Sequence, residues 1–371
     1  MKRRSHRPSA QPRTIEFEID HVDPLGQGVS KSDGNVTFIA GTLPGERGAA
    51  TVYKQAKGVR FARLQRLDKR AENRIEPACP HFERCPGCQY LHTTYASELA
   101  YKQATLERSL APFGGAAGDI EVVPAPRRLG YRNRVQLHYR HRYIGMLDTD
   151  GNEVLEVPHC KIFRPELQAA FDRLYAGGWQ QGHAGHGHCE LYFRSNEVSV
   201  SWDGEYAHGG FTQVYEEMNQ VLQDRVNAQL ASLGARRLLD LFSGNGNLSG
   251  AFAAAGGERV MVDSFAGAAD GENFYQMDLY DDQTLHNFIR RAGTMEFDTL
   301  LADPPRRGFP GLDSWIKRVN PEYVIYVSCN PASLARDLHG LKKRFSLAAV
   351  QLLDLFPSTA HFETLVTLKM R

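Results

Sequence analysis

The sequence has no long uncharged apolar run, so nothing in it predicts a helix that crosses a membrane. No apolar stretch follows the basic N-terminal residues Lys2, Arg3, Arg4, Arg7 and Arg13, which argues against a secretory signal and makes the cytoplasm the expected location. An excess of charge of one sign is also missing. The chain carries 44 Lys and Arg against 43 Asp and Glu, a net charge of +1. Net charge therefore does not announce a nucleic-acid binder, and a polyanion would have to be met by local patches. Cysteine is scarce, at six residues, and without an export signal a disulfide framework is a poor reading of them. The dinucleotide fingerprint G-x-G-x-x-G is absent as well, because Ser249 takes the third glycine position.

What is present suggests two or three domains in 371 residues, and the 42% hydrophobic content is enough for sizeable cores. Residues 1–13 read as a basic, solvated tail that can brush RNA phosphates. Residues 14–70 read as a small β-barrel of the OB type. Ile15, Phe17 and Ile19 alternate with Glu16, Glu18 and Asp20, the period-two signature of a half-buried strand. Turn residues at Gly26, Gly28, Asp33-Gly34-Asn35 and Pro44-Gly45 separate further short strands, such as Val36–Ala40 and Ala49–Tyr53. Residues 71–210 form a less regular α+β middle region. It holds a helix over Ser97–Leu110 and strand-like runs at Arg134–Tyr139 and Glu190–Phe193. Its glycine-rich loop with His183, His186 and His188 is a surface feature, a metal site being the alternative. Residues 211–371 alternate helix and strand. A helix over Glu216–Leu233 precedes a strand, Arg237–Phe242, then a glycine loop and a helix through Ala255. Arg259–Asp263, Asp298–Ala302 and Tyr323–Val327 are short apolar runs typical of buried parallel strands. This pattern predicts a doubly wound α/β domain.

Charge is distributed unevenly. Lys54, Lys57, Arg60, Arg63, Arg66, Lys69, Arg70 and Arg74 crowd one stretch. A second, Arg127 to Tyr143, contains six arginines and no acid, interleaved with Tyr131, Tyr139 and Tyr143. Guanidinium groups pair with phosphates and aromatic faces stack on bases, so this mixture points to RNA contact, with a solvated charged face as the alternative. Cys79, Cys85 and Cys88 have the spacing C-x5-C-x2-C, and Cys160 follows much later. Four thiolates can close a zinc site or hold an iron–sulfur cluster. Three clustered cysteines with one remote partner favour the iron–sulfur reading, and zinc stays open. Cys189 reads as a lone thiol.

The last third holds the chemistry. After Asp240-Leu-Phe242 comes Ser-Gly-Asn-Gly-Asn247, a loop whose glycines let the backbone approach a ligand at the carboxyl ends of a sheet. Asp263 ends the next strand, where it can bind ribose hydroxyls, and Asp278 follows where adenine would sit. That order fits a nucleoside-type cofactor. Asp303-Pro-Pro-Arg-Arg-Gly308 ends a later strand, its prolines stiffening the turn that presents Asp303. Tyr326-Val-Ser-Cys-Asn-Pro331 ends another. Cys329 there is either a nucleophile among ligand-binding loops or a buried structural cysteine. Glu363 falls just before the apolar strand Leu365–Leu368.

Together with Phe211-Thr-Gln-Val, Ala335-Arg-Asp337 and Phe356-Pro-Ser-Thr-Ala-His-Phe-Glu363, these motifs resemble the RNA 5-methyluridine methyltransferase family of the RumA and TrmA type over nearly the whole chain. The N-terminal part resembles a TRAM domain, an OB-like RNA-binding barrel. The resemblance implies S-adenosylmethionine bound by Gln213, Phe242, Asn247, Asp263, Asp278 and Asp303. It also implies a 4Fe-4S cluster on Cys79, Cys85, Cys88 and Cys160. It implies Cys329 as the nucleophile at uracil carbon 6 and Glu363 as the base at carbon 5. This chain has Ser243 where the family usually has Cys and Asp263 where it usually has Glu, and its stretch from Ser264 to Asp278 is shorter. The expected substrate is large-subunit 23S ribosomal RNA rather than transfer RNA, acted on by a monomer. The rival readings are a transfer-RNA methyltransferase, a non-catalytic iron–sulfur RNA-binding scaffold, and an adenine-N methyltransferase, which needs no cysteine.

Overall fold

Ile15, Phe17 and Ile19 point inward from one face of the first strand, as their alternation with acids requires. The computed structural model describes residues 13–32, 34–114, 120–183, 185–204, 212–265, 273–293 and 295–371. The basic tail up to residue 12, Asp33 of the expected turn and Phe211 of the expected motif lie outside them. The chain divides into two units, Met1–Tyr101 with Ser358–Ala360, and Lys102–Pro357 with His361–Arg371.

In the first unit, β1 (Arg13–Val22), β2 (Gly28–Ser30), β3 (Val36–Ile39), β4 (Arg47–Ala56) and β5 (Val59–Lys69) close a barrel in the order β1-β2-β3-β5-β4. Only β3 and β5 pair in parallel; the other pairs are antiparallel. Ile39, Ala50 and Ala62 complete the core around the three inward residues of β1. Glu46 is fully buried, and Arg74 grips it with two hydrogen bonds, 2.5 and 2.7 Å. The Leu43 and Ala71 amides donate to the same carboxylate, at 2.8 and 3.2 Å. A buried charge is tolerated only when paired and hydrogen-bonded in this way. Arg74, and Arg60 at 6% exposure, are thus taken up by the fold rather than offered to RNA. The outer face keeps Lys54 over the Phe61 ring and Arg63 over the exposed Tyr53 ring.

The helix α1 (Tyr95–Leu110) begins two residues earlier than its apolar face suggests. The second unit follows with β6 (Ile120–Val123), β7 (Arg134–Arg140), β8 (Tyr143–Leu147), β9 (Val154–Leu155), α2 (Pro165–Tyr175), β10 (His186–Arg194) and β11 (Glu197–Trp202). Five of these strands form an antiparallel sheet in the order β11-β10-β7-β8-β9. This sheet corrects part of the expected RNA-contact stretch. Arg134 is buried, paired with Glu190 at 2.8 Å and lying over the Tyr192 ring. Tyr131 stacks on Tyr215 and donates to the Pro357 carbonyl. Tyr139 is buried and donates to Asp203 at 2.7 Å. Composition counts these side chains as available; their packing partners bury them, Arg134 and Tyr139 on opposite faces of β7 and Tyr131 in the segment before it. Arg140, Arg142 and Tyr143 remain on the surface.

The rest of the chain alternates α3 (Glu216–Ser232), β12 (Arg237–Leu241), α4 (Gly250–Ala254), β13 (Glu258–Asp263), β14 (Phe274–Gln276), α5 (Thr284–Ala292), β15 (Thr299–Ala302), α6 (Leu312–Val319), β16 (Tyr323–Ser328), α7 (Pro331–His339), β17 (Phe345–Leu353) and β18 (Glu363–Met370). Eight strands form one sheet in the order β14-β13-β12-β15-β16-β18-β17-β6. From β14 to β16 all pairs are parallel. Strand β18 then runs antiparallel to β16 and β17. The edge strand β6 comes from within the stretch read as the middle region. The uninterrupted apolar runs of β15 and β16 are buried on both faces, as parallel strands covered by helices must be. Among the described residues no helix is long and apolar enough to cross a membrane.

Candidate active site

The antiparallel turn of β18 creates the site. Parallel strands β12, β13, β15 and β16 all end at one edge of the sheet, where the crevice of a doubly wound fold lies. Because β18 runs the other way, its first residue arrives at that same edge. Ser328 pairs with Thr364 and Leu353 with Glu363, so Glu363 stands beside Cys329, the residue that follows β16. Glu363 begins the strand rather than preceding it, as the apolar run alone had suggested.

Cys329 sits at a strand–helix junction. Asn330 caps α7 by accepting from the Ala332 amide, and its own amide group donates to the Arg306 carbonyl at 2.9 Å. Asp337, one turn and a half along α7, accepts from the Phe309 amide and the Tyr326 hydroxyl, both at 2.6 Å. Arg336 holds the other oxygen of Asp337 and the Arg307 carbonyl. Gly308 has φ +72°, and a Cβ there would lie 2.3 Å from Asp337 Oδ2, so only glycine lets the loop close on the helix. These contacts clamp the loop from Asp303 to Phe309 against α7, the helix that follows Cys329.

The electrostatics bind four side chains together. Burial pushes the Cys329 thiol up to about 12; the Glu363 and Asp303 carboxylates add to this and Arg306 opposes it. Burial raises Asp303 to about 7. Burial, followed by the charge of Asp303, raises Glu363 well above the usual carboxylate range, with Arg306 pulling it down. Like carboxylates in a dry site share protons in this way. Burial also holds His361 down to about 4, with the cations Arg306, Lys102 and Arg132 around it. Sequence reasoning gave no role to Arg306, although its place in Asp-Pro-Pro-Arg was visible.

Beside this group lies the glycine loop. Phe242 takes φ +60°, a strained conformation for a bulky residue and one found at functional sites. Its ring packs on Phe309 at 4.9 Å and Tyr280 at 5.4 Å. Asp263 accepts from the Gly244 amide at 2.9 Å and from the Phe265 amide at 2.8 Å, so its carboxylate holds the loop as well as facing it. Asp278 accepts from the Tyr280 amide and sets the turn before α5. Asn247 pairs with Asn219 and Gln223 of α3. Gln213 is buried, and its Oε1 has no protein partner; the same holds for Ser243 Oγ and Glu363 Oε2. Buried polar atoms are normally satisfied, so three orphans, two in loops and one at the start of β18, fit a polar molecule completing them.

Cys79, Cys85 and Cys88 belong to the first unit and Cys160 to the second. Cys79, Cys85, Cys88 and Cys160 are half-buried. Within the first unit, the Phe82 amide donates to the Cys79 carbonyl and the Cys85 amide to the His81 carbonyl, folding the loop back on itself. Burial pushes the Cys85 thiol up, with the Gly87 amide hydrogen bond opposing and Cys79 adding to the rise. An amide aimed at a sulfur beside a second thiol suits metal-bound thiolate. Among the described residues, however, no three His, Cys, Asp or Glu side chains are disposed to hold a metal ion. That holds for the loop of His183 and His188 too, where Trp202 stacks on His183 at 3.9 Å.

Comparison with known proteins agrees with this geometry. A family described as tRNA (Uracil-5-)-methyltransferase matches residues 283–371. The 23S rRNA (uracil(1939)-C(5))-methyltransferase RlmD of Yersinia enterocolitica is 30% identical, over 95% of this chain and 94% of its own length. The protein of the same name from Pectobacterium atrosepticum is 27% identical over 98% and 95%. Among solved structures, the Pyrococcus abyssi tRNA (uracil-54, C5)-methyltransferase in complex with S-adenosyl-L-homocysteine superposes with a TM-score of 0.75 at 21% identity, covering 95% of this chain and 99% of that one, which shows a common fold.

Proposed function

The chain belongs to the S-adenosylmethionine-dependent RNA uracil-C5 methyltransferases, and from that premise we propose that it methylates carbon 5 of one uracil in 23S ribosomal RNA, the counterpart of position 1939 for which its relatives are named. The observation that carries the reaction is the arrival of Glu363 beside Cys329 on an antiparallel strand. Carbon 5 of uracil is a weak nucleophile, and a thiolate added at carbon 6 makes it an enolate carbon.

In the ligand-free site Cys329 is a thiol, and its proton passes to solvent or to Asp303 before attack, which leaves Glu363 ionised for its later step. Arg306 is the cation that favours the thiolate. The thiolate Sγ forms a bond to carbon 6, and the carbon 5–carbon 6 electron pair moves into the ring enolate. S-adenosylmethionine supplies a methyl group on a sulfonium, and carbon 5 bonds to that methyl as the sulfur–methyl bond breaks. Glu363 then removes the carbon 5 proton; that electron pair restores the double bond and expels the Cys329 thiolate. Gln213, Phe242, Asn247, Asp263, Asp278 and Asp303 are proposed to seat the donor. The orphaned Gln213 Oε1 and the strained Phe242 are what support that assignment.

The target uracil must leave its stack to reach a site at the edge of a sheet. The TRAM-like barrel with Lys54 and Arg63, and the exposed Arg140, Arg142 and Tyr143, are proposed as RNA grips. The 4Fe-4S cluster is likewise proposed, on Cys79, Cys85 and Cys88 with Cys160 as the fourth ligand by the family resemblance alone. About four irons per anaerobically purified chain, lost together with visible absorbance in Cys85→Ser, support it; zinc or no metal overturns it. The proposed activity is tested by incubating the full chain with methyl-labelled S-adenosylmethionine and unmodified 23S ribosomal RNA or transfer RNA. Label recovered as 5-methyluridine at a single 23S site is expected. Label in transfer RNA moves the substrate, and label on adenine overturns the chemistry.

A further inference from the structure

A hydrogen-bonded chain of three side chains, two buried and one half-buried, runs behind the glycine loop, and none of them belongs to the proposed reaction. Asp240, on β12, is 2% exposed and lies among the buried Leu238, Leu239 and Leu241 of that strand. Its Oδ2 accepts a 2.5 Å hydrogen bond from the hydroxyl of Ser249, which is fully buried at the start of α4. That hydroxyl in turn accepts from Arg259 Nη1 of β13 at 2.8 Å. The same guanidinium fills the space beside Gly246, where a Cβ would stand 2.6 Å from Nη1. The chain thus ties β12, the helix after the loop, and β13, and its last member packs against the loop's second glycine. Ser249 occupies the position where a dinucleotide fingerprint would carry glycine, so a hydroxyl replaces close backbone packing with a directed hydrogen bond.

We propose that Asp240, Ser249 and Arg259 are positioning residues that set the glycine loop for the methyl donor, acting through Gly246 and not touching the reacting atoms. The inference rests on the reading of this loop as the donor's seat. Two anchors then fix the loop from opposite ends. Asp263 takes the Gly244 amide, and Arg259 backs Gly246. A buried carboxylate in a core strand is costly, and the Ser249 hydroxyl with Arg259 behind it offsets part of that cost. Burial pushes Asp240 to about 7, Ser249 and Arg259 restrain it, and Asp303 and Asp263 add to the rise, so the chain also feels the charge of the carboxylates facing the site.

The test measures S-adenosylmethionine binding by calorimetry and steady-state kinetics on the full chain. Ser249→Ala and Arg259→Gln are each expected to weaken donor binding about tenfold and raise its KM alike, with kcat changed less than about twofold. Ser249→Thr, which keeps the hydroxyl, is expected to bind as wild type. The double variant is expected to be no worse than either single one, since both cut the same chain. Unchanged affinity in both single variants, a kcat loss without a KM change, or additive losses overturn the inference. If wild type itself fails to bind S-adenosylmethionine, it is the proposed function that fails. Where a variant melts early, Ser249→Thr and the donor's KM, measured well below the melting point, keep the comparison valid.

Discussion

Replacing Glu363 with glutamine should move two steps of the reaction in opposite directions. Glu363 is 4% exposed and its Oε2 has no protein partner, so an amide of the same shape fits without breaking a hydrogen bond at that atom. What changes is charge. The carboxylate is, after burial, the largest influence holding the Cys329 thiol up at about 12. Removing that charge should raise the thiolate fraction wherever wild-type Glu363 is ionised, so alkylation by iodoacetamide should be faster in the variant at alkaline pH. The base at carbon 5 is lost at the same time, and general-base losses run to about 10²–10⁴ in rate, or roughly 3–5 kcal/mol of barrier. Glu363→Gln should therefore have a more reactive cysteine and a far slower turnover. On natural RNA it should accumulate a methylated uracil still bonded to Cys329. Alkylation is followed on the Cys329 peptide by mass spectrometry, and turnover by single-turnover methyl transfer. An unchanged alkylation rate would mean that the two side chains do not share a field. Retained turnover would mean that Glu363 is not the base.

Asp303→Asn should stabilise the ligand-free protein in a pH-dependent way. The folded carboxyl is raised to about 7 from 3.8, so the folded state holds the proton more tightly than the unfolded one. Its contribution is favourable at low pH and lost as pH rises from about 4 through 7. The variant, lacking that loss, should match wild type at about pH 4 and exceed it by on the order of 4 kcal/mol at about pH 8 in thermal melts. A pH-independent difference would contradict the assignment. Asp337→Ala leaves the Phe309 amide and the buried Tyr326 hydroxyl without acceptors. It should cost about 3 kcal/mol of stability in urea titrations and lower kcat about tenfold through the loop that carries Asp303. Wild-type stability and turnover would show that the clamp is decorative.

The parts of this molecule that follow from local pattern were legible in its sequence. The inward face of β1, the apolar strands β15 and β16 and the glycine loop after β12 all obey a period or a turn chemistry that the residues carry themselves. The pairing of Cys329 with Glu363 was reached only through family resemblance, because no local pattern says that β18 reverses direction beside β16. Arg134, Tyr131 and Tyr139 looked available to RNA because composition does not show the distant partners, Glu190, Pro357 and Asp203, that take them inward. Asp240 left a signal that was passed over: a lone acid in Leu-Leu-Asp-Leu-Phe has no reason to be buried unless something receives it. Asp337 left none beyond its place in a short motif, since its partners Phe309 and Tyr326 come from other segments of the chain.

The central claim is that Cys329 bonds covalently to the uracil it methylates. Large-subunit RNA substituted with 5-fluorouridine tests it most directly, because fluorine leaves no proton at carbon 5 for Glu363 to remove and so blocks elimination. With S-adenosylmethionine present, the full chain should form a complex with this RNA that survives denaturation, maps to one uracil and to the Cys329 peptide, and is absent in Cys329→Ala. Efficient methylation of natural RNA with no such complex, or a complex that persists in Cys329→Ala, would contradict the account.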